Sequence, residues 1–141
     1  MSLPEFRILH PALEAVIAHA RAEAPAECCG MLVGAGAVVG EAVPARNVAA
    51  SPTRFLIDPK DHFDARRAAR GRGLEVLGFY HSHPTSPAWP SATDVTEAAY
   101  PDAVYLIVSL EGGAADARLF QIVDRSIVEL SLISVDQRLP R

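Results

Sequence analysis

The sequence predicts an α/β-class, α+β domain: one mixed β-sheet flanked by helices. Three observations predict it. Helical and strand-like segments alternate over the first two-thirds of the chain, and the last third holds strands alone, so parallel and antiparallel neighbours must share a sheet. Turn residues punctuate every change of period. Half of the 141 residues are hydrophobic, enough for a core without disulfides or a structural metal.

In chain order, Pro11 opens a helix over residues 11–24, whose Leu13, Val16, Ile17, Ala20 and Ala24 recur at helical spacing, and Pro25 stops it. Cys29 to Val33 and Val38 to Val43 form a hairpin about Gly34-Ala35-Gly36. Residues 44–53 read as loop, and Phe55 to Ile57 as a brief strand. Asp58-Pro59 is an N-cap followed by a first-turn proline, and that helix reaches about Arg70 before Gly71 and Gly73. Leu74 to His83 is an apolar strand. Residues 84–90, with three prolines, are irregular, and Ser91 begins a short helix to about Ala99. Val104–Leu110, Ala117–Val123 and Ile127–Ile133 are strands parted by Gly112-Gly113 and Asp124-Arg125-Ser126, and the tail after Val135 reads as loose. No repeat or linker divides the chain, so we expect one domain over 1–141 with its core at about 8–133.

A net charge of -4 argues against nucleic acid as the main partner, because phosphate binding needs a basic excess. The six basic side chains of residues 54–72 read as a solvated helix face. No apolar stretch reaches the roughly 20 residues of a membrane helix, and Met1 to His10 lacks the pattern of a signal peptide. Cys28 and Cys29 are adjacent, without a third cysteine to pair with, and read as buried thiols. A cytoplasmic chain is the expectation, with no membrane partner and the oligomeric state left open, a homodimer included.

The chemistry concentrates at His81-Ser82-His83. Alternation along a strand sends both imidazoles to one face and Ser82 to the other. A lone histidine on an apolar strand is more often a satisfied core residue; two at spacing two, followed by a further oxygen ligand, point to a metal. Catalytic zinc commonly takes three protein ligands and keeps a fourth position open. Asp94, across the proline-stiffened loop, is the third candidate. Ser91 and Asp94 have the S-x-x-D spacing of a helix start, and the two roles are compatible: Ser91 caps the helix while Asp94 faces the metal. His10, His19 and His62 read as structural or solvated. Trp89 fits either a substrate groove or a packed anchor. A general base is also needed, and by position alone Glu23, Glu27 and Glu97 all qualify.

The segment His81-Ser82-His83-Pro84 followed by Ser91 and Asp94 resembles the metal motif of the JAMM (MPN+) metalloprotease family. Pro25 to Leu32, with Glu27, Cys29 and Gly30, is similar to that family's P-x-E-x-C-G-x-L segment, and Phe55 to Pro59 and Gly78-Phe79-Tyr80 also look like it. The resemblance covers about residues 8–133 and implies a short, free-standing prokaryotic form with a fold related to the cytidine deaminases. It implies one zinc ion on His81, His83 and Asp94, Glu27 as catalytic acid/base, and Ser91 as oxyanion donor. It further implies cleavage of the amide bond after the C-terminal Gly-Gly of a ubiquitin-like or sulfur-carrier protein. A tail of that kind would add as a strand at a sheet edge beside the metal. Two rival readings are a non-catalytic scaffold, against which the intact ligands speak, and a zinc peptidase acting on other peptides. A zinc deaminase would need H-x-E and P-C-x-x-C motifs, which are absent.

Overall fold

The computed structural model describes residues 5–136. Its elements are β1 (Glu5–Leu9), α1 (His10–Glu23), β2 (Cys29–Ala35), β3 (Val38–Ala45), α2 (Pro59–Gly71), β4 (Glu75–His83), α3 (Ala92–Glu97), β5 (Val104–Ser109), β6 (Asp116–Val123) and β7 (Ser126–Val135). The mixed sheet with helices against it is as the sequence predicts. Two features go further. The strands run in the order β1-β3-β2-β4-β5-β6-β7 and close into a barrel, and the closing strand is β1, which pairs in parallel with both β3 and β7. β1 alternates like any strand, with Phe6 and Ile8 turned inward between Glu5 and Arg7. At five residues its period is easily overlooked. The tail beyond Asp136 lies outside the described residues.

The helices start where local chemistry allows. Pro11 stands in the first turn of α1, which buries Ala12, Val16 and Ala20. Asp58 caps α2 by accepting from Lys60 N–H at 2.9 Å, and Pro59 follows it. α3 is shorter than expected, ending at Glu97. Phe55 to Ile57 is not a strand: Ile57 forms a single bridge with Asn47, and Phe55 serves the site described below. Among the described residues no helix is long and apolar enough to cross a membrane.

β4 lies at the centre. It pairs antiparallel with β2 and parallel with β5, so every residue from Gly78 to His83 is buried. Its alternate side chains serve opposite faces. Tyr80 packs with α1's Val16 and with Leu32 and Leu106. Phe79 packs with α2's Ala65, Met31 and Tyr105. Tyr80 also meets His19, whose Nδ1 lies 2.7 Å from the phenol oxygen. The motif glycines have a steric cause: a Cβ on Gly30 would overlap the Tyr80 ring, and one on Gly78 would overlap the Val104 carbonyl across the β4–β5 seam. Cys28 and Cys29 are free and fully buried, facing opposite cores. Burial raises them to about 11 and about 12, so both stay thiols.

Gly78→Ala should therefore cost about 3 kcal/mol, the upper end of the overpacking range. A urea melt would show a lower midpoint with an unchanged slope. A parent-like midpoint would mean that the β4–β5 seam has room for a methyl group.

Candidate active site

β4 ends in the histidine pair, and the alternation that places Phe79 on the α2 face places His81 and His83 there as well. Their Nε2 atoms lie 3.2 Å apart. Asp94 Oδ2 lies 3.1 Å from His81 Nε2 and 3.0 Å from His83 Nε2. All three side chains are almost wholly buried, Asp94 at 7% exposure. They form a group able to hold a metal ion. The spacing suits one: ligand atoms at about 2.0–2.1 Å in a tetrahedral site stand about 3.3 Å apart.

Asp94 reaches this point through its helix. Ser91 Oγ accepts from Asp94 N–H at 3.0 Å, and Ser91 N–H donates to Asp94 Oδ2 at 2.9 Å, a complete capping box. The capping role of Asp94 is thus compatible with its place beside the two histidines.

The histidines are oriented from outside. His83 Nδ1 lies 2.8 Å from the Pro87 carbonyl. Donation there puts the proton on Nδ1 and leaves the Nε2 lone pair facing Asp94. The loop that supplies this carbonyl is tied down by Ser109 Oγ, which donates to Ser86 O at 2.6 Å. His81 stacks on Phe55, ring centroids 4.3 Å apart and planes 21° from parallel, and its Nδ1 has no hydrogen-bond partner among the described residues. A cavity of about 30 Å³ bounded by Phe55, His81, Asp94 and Glu97 lies alongside, room for about one water. Phe55, Pro87 and Ser109 were not legible as site residues in the sequence. Phe55 lay in a motif without a stated role, and the other two act through contacts that only the folded chain makes.

Charges in this group are coupled. Burial lowers His81, outweighing its bond to Asp94. Burial also lowers His83, but the hydrogen bonds to Asp94 and Pro87 and the nearby carboxylates more than offset it and raise it. Burial opposes ionisation of Asp94, yet the two imidazoles and the Ser91 N–H hold its carboxyl far below the usual range. The convergence of lone pairs on Asp94 favours a shared proton in the metal-free protein, and a bound cation would take that place.

Glu27 sits two residues before β2, the strand beside β4. The register pairs Cys29 with His81, and Cys28 accepts from Ser82 N–H at 3.2 Å while its own N–H donates to Ser82 Oγ at 2.8 Å. From there the chain carries Glu27 towards His83, whose charge acts on its carboxyl. Ser82, facing away from the imidazoles, fixes the residue that follows Glu27. The Glu27 carboxyl is 3% exposed, and its Oε1 has no partner among the described residues. Burial pushes it up to about 7, His83 drawing it down and Asp94 pushing it further up.

The remaining candidates stand elsewhere. His10 contacts Ser134 and Glu14. His62 accepts from Arg66 Nε–H at 2.7 Å and packs edge-on to Phe79. Trp89 meets Phe120 edge-to-face at 5.1 Å while staying 48% exposed, at once an anchor and a surface beside the ligand loop.

A family model described as prokaryotic homologs of the JAB domain matches residues 9–123. A desampylase from Haloferax volcanii is 42% identical over 108 residues, 72% of this chain and 78% of that one. A CysO-cysteine peptidase from Mycobacterium tuberculosis is 35% identical over 128 residues, covering 89% and 88%. A Desulfitobacterium hafniense protein, solved in solution, superposes with a TM-score of 0.86 at 34% identity over 94% of both chains. With the histidine pair, the capped aspartate and the buried glutamate on one frame, the chain belongs to the prokaryotic JAB/MPN (JAMM) family and is a JAMM-type peptidase.

Proposed function

We propose that this chain is a zinc-dependent isopeptidase. It hydrolyses the amide bond after the C-terminal Gly-Gly of a ubiquitin-like or sulfur-carrier protein, with Glu27 as general acid/base. The observation that carries the chemistry is the meeting of three buried donors, none more than 3.2 Å from the next, on one sheet face with a buried carboxyl. Two imidazoles and one carboxylate are a donor set that suits zinc. The substrate class is supported by the relatives named desampylase and CysO-cysteine peptidase.

When bound, zinc lowers the pKa of water towards about 7 and polarises a carbonyl. Glu27 handles the proton. A carboxyl poised at about 7 takes a proton at neutral pH and returns it to the leaving amine, and its Oε1 is without a hydrogen-bond partner among the described residues. Ser91 uses its oxygen lone pair for the Asp94 N–H; its hydroxyl proton remains for the oxyanion that develops on the substrate carbonyl. Both long sides of β4 are occupied, by β2 and β5, so a substrate tail that adds as a strand beside the metal pairs with an edge other than β4.

Chelation should abolish cleavage of a carrier protein's Gly-Gly–cysteine adduct, and about one equivalent of zinc should restore it. Full activity after exhaustive metal removal would sink the metal reading, and an active enzyme that ignores every such adduct would refute the substrate alone. Glu27→Gln should lower kcat by about 10²–10⁴-fold with zinc content unchanged. Ser91→Gly separates the two uses of that residue. A glycine cap costs only a few tenths of a kcal/mol, whereas loss of an oxyanion donor costs about 10²–10³ in kcat. Equal, small effects on both would assign Ser91 to capping only.

The metal-free protein offers a test by stability. Glu27 has a folded pKa of about 7 against an ordinary 4.5, so its protonated form favours the fold. That contribution is complete below pH 4.5 and is lost as pH rises through 7. Glu27→Gln lacks the loss. Its melting temperature should match the parent at pH 4 and exceed it increasingly up to about pH 8. A difference that is flat with pH would show that Glu27 is not buried as described.

A further inference from the structure

The loop that follows β3 carries little regular structure, yet it touches the site twice, through the Glu27 backbone and through Phe55 on His81. One side chain organises it. The half-buried Asn47 amide makes four hydrogen bonds. Its Nδ2 donates to the carbonyls of Glu27 at 3.0 Å and Arg54 at 3.1 Å. Its Oδ1 accepts from the N–H groups of Ala49 at 3.0 Å and Leu56 at 2.9 Å. An amide side chain has two donors and two acceptor positions, and all four are used. The pattern also fixes which end of the amide is which, since two carbonyls face one atom and two N–H groups the other.

We propose that Asn47 is a positioning residue for the reaction: it holds Glu27 at its place beside the histidine pair. The inference rests on the reading of Glu27 as acid/base. The physical case is that Glu27 lies two residues before the start of β2, where the ladder no longer fixes it from both sides. Its N–H donates to Ser51 O at 2.8 Å and its C=O accepts from Asn47, so the Asn47 loop grips the peptide units on both sides of its Cα. The same amide sets the span from Arg54 to Leu56, which delivers Phe55 to His81. The metal donors themselves stand on β4 and α3, and Asn47 touches neither. The direct hold of Asn47 is on the Glu27 backbone, whereas it reaches the metal donors only through Phe55 on His81.

The variant that separates these is Asn47→Asp. It keeps the acceptor for Ala49 and Leu56 and removes the donor to Glu27, together with the more exposed bond to Arg54. Kinetics on the zinc-loaded protein with a Gly-Gly–cysteine adduct should show kcat reduced on the order of a hundredfold, the effect of roughly 1 Å of misplacement. KM, zinc affinity by calorimetry and melting temperature should stay near the parent's. In the metal-free protein, hydrogen exchange at the Glu27 amide should quicken while that of Leu106 in β5 does not. In a Glu27→Gln background the same change should have no further effect on kcat, because both act through one group. Parent-like kcat for Asn47→Asp in an enzyme that Glu27→Gln inactivates overturns the proposal and leaves the acid/base reading standing. Parallel falls in zinc affinity, melting temperature and kcat overturn it in favour of a merely structural role. Full activity of Glu27→Gln removes the acid/base reading and the proposal together.

Discussion

The antiparallel pairing of β2 with β4, in the register that sets Cys29 opposite His81, is the constraint on which the site depends. A slip of one residue would turn the imidazoles to the opposite face and part Glu27 from His83. The register is held from several directions. Tyr80 fits over Gly30 with no room for a side chain between them. Ser82 bonds both backbone groups of Cys28. β5 pairs with the other side of β4 from Gly78 to His83. A site so deep in the sheet draws its precision from core packing, and small residues at Gly30 and Gly78 are the condition for it.

Around this fixed half stands a second, delivered from outside the sheet. Asp94 comes from a helix of six residues, too short to be stable by propensity, which the Ser91–Asp94 capping box begins. The same carboxylate therefore starts the helix and completes the donor set. Its contacts with His81 and His83 tie α3 to the end of β4. Pro87 and Ser109 act from the loop side, fixing the ring of His83 by way of a backbone carbonyl.

Much of this was legible in the sequence, for physical reasons. A period of two along an apolar strand is enough to pair His81 with His83, and S-x-x-D is enough to start a helix. Glu27 was not separable from Glu23 and Glu97 by position, since its place depends on a pairing across 54 residues; the resemblance to JAMM proteins supplied it. The closure of the barrel by β1 was hidden because parallel pairing with β3 and β7 leaves no local mark. Phe55 was taken for a strand residue because its apolar neighbours, Leu56 and Ile57, look the same in a strand and in a loop stapled by Asn47. Long-range contacts and side-chain-to-backbone bonds are what periodicity leaves out.

The closed sheet has a consequence for how such a molecule can vary. Closure leaves little open edge for strands of other copies to join, although β3 beyond Val39 has no register partner in β1. Nor can the frame be widened at its rim to admit a different client. Changes in what the molecule accepts have to arise in the segments between strands, chiefly residues 46–58 and 84–91, which can lengthen or change composition while β4 stays as it is. Selectivity and chemistry can then diverge at separate rates, one in the loops and the other in the sheet.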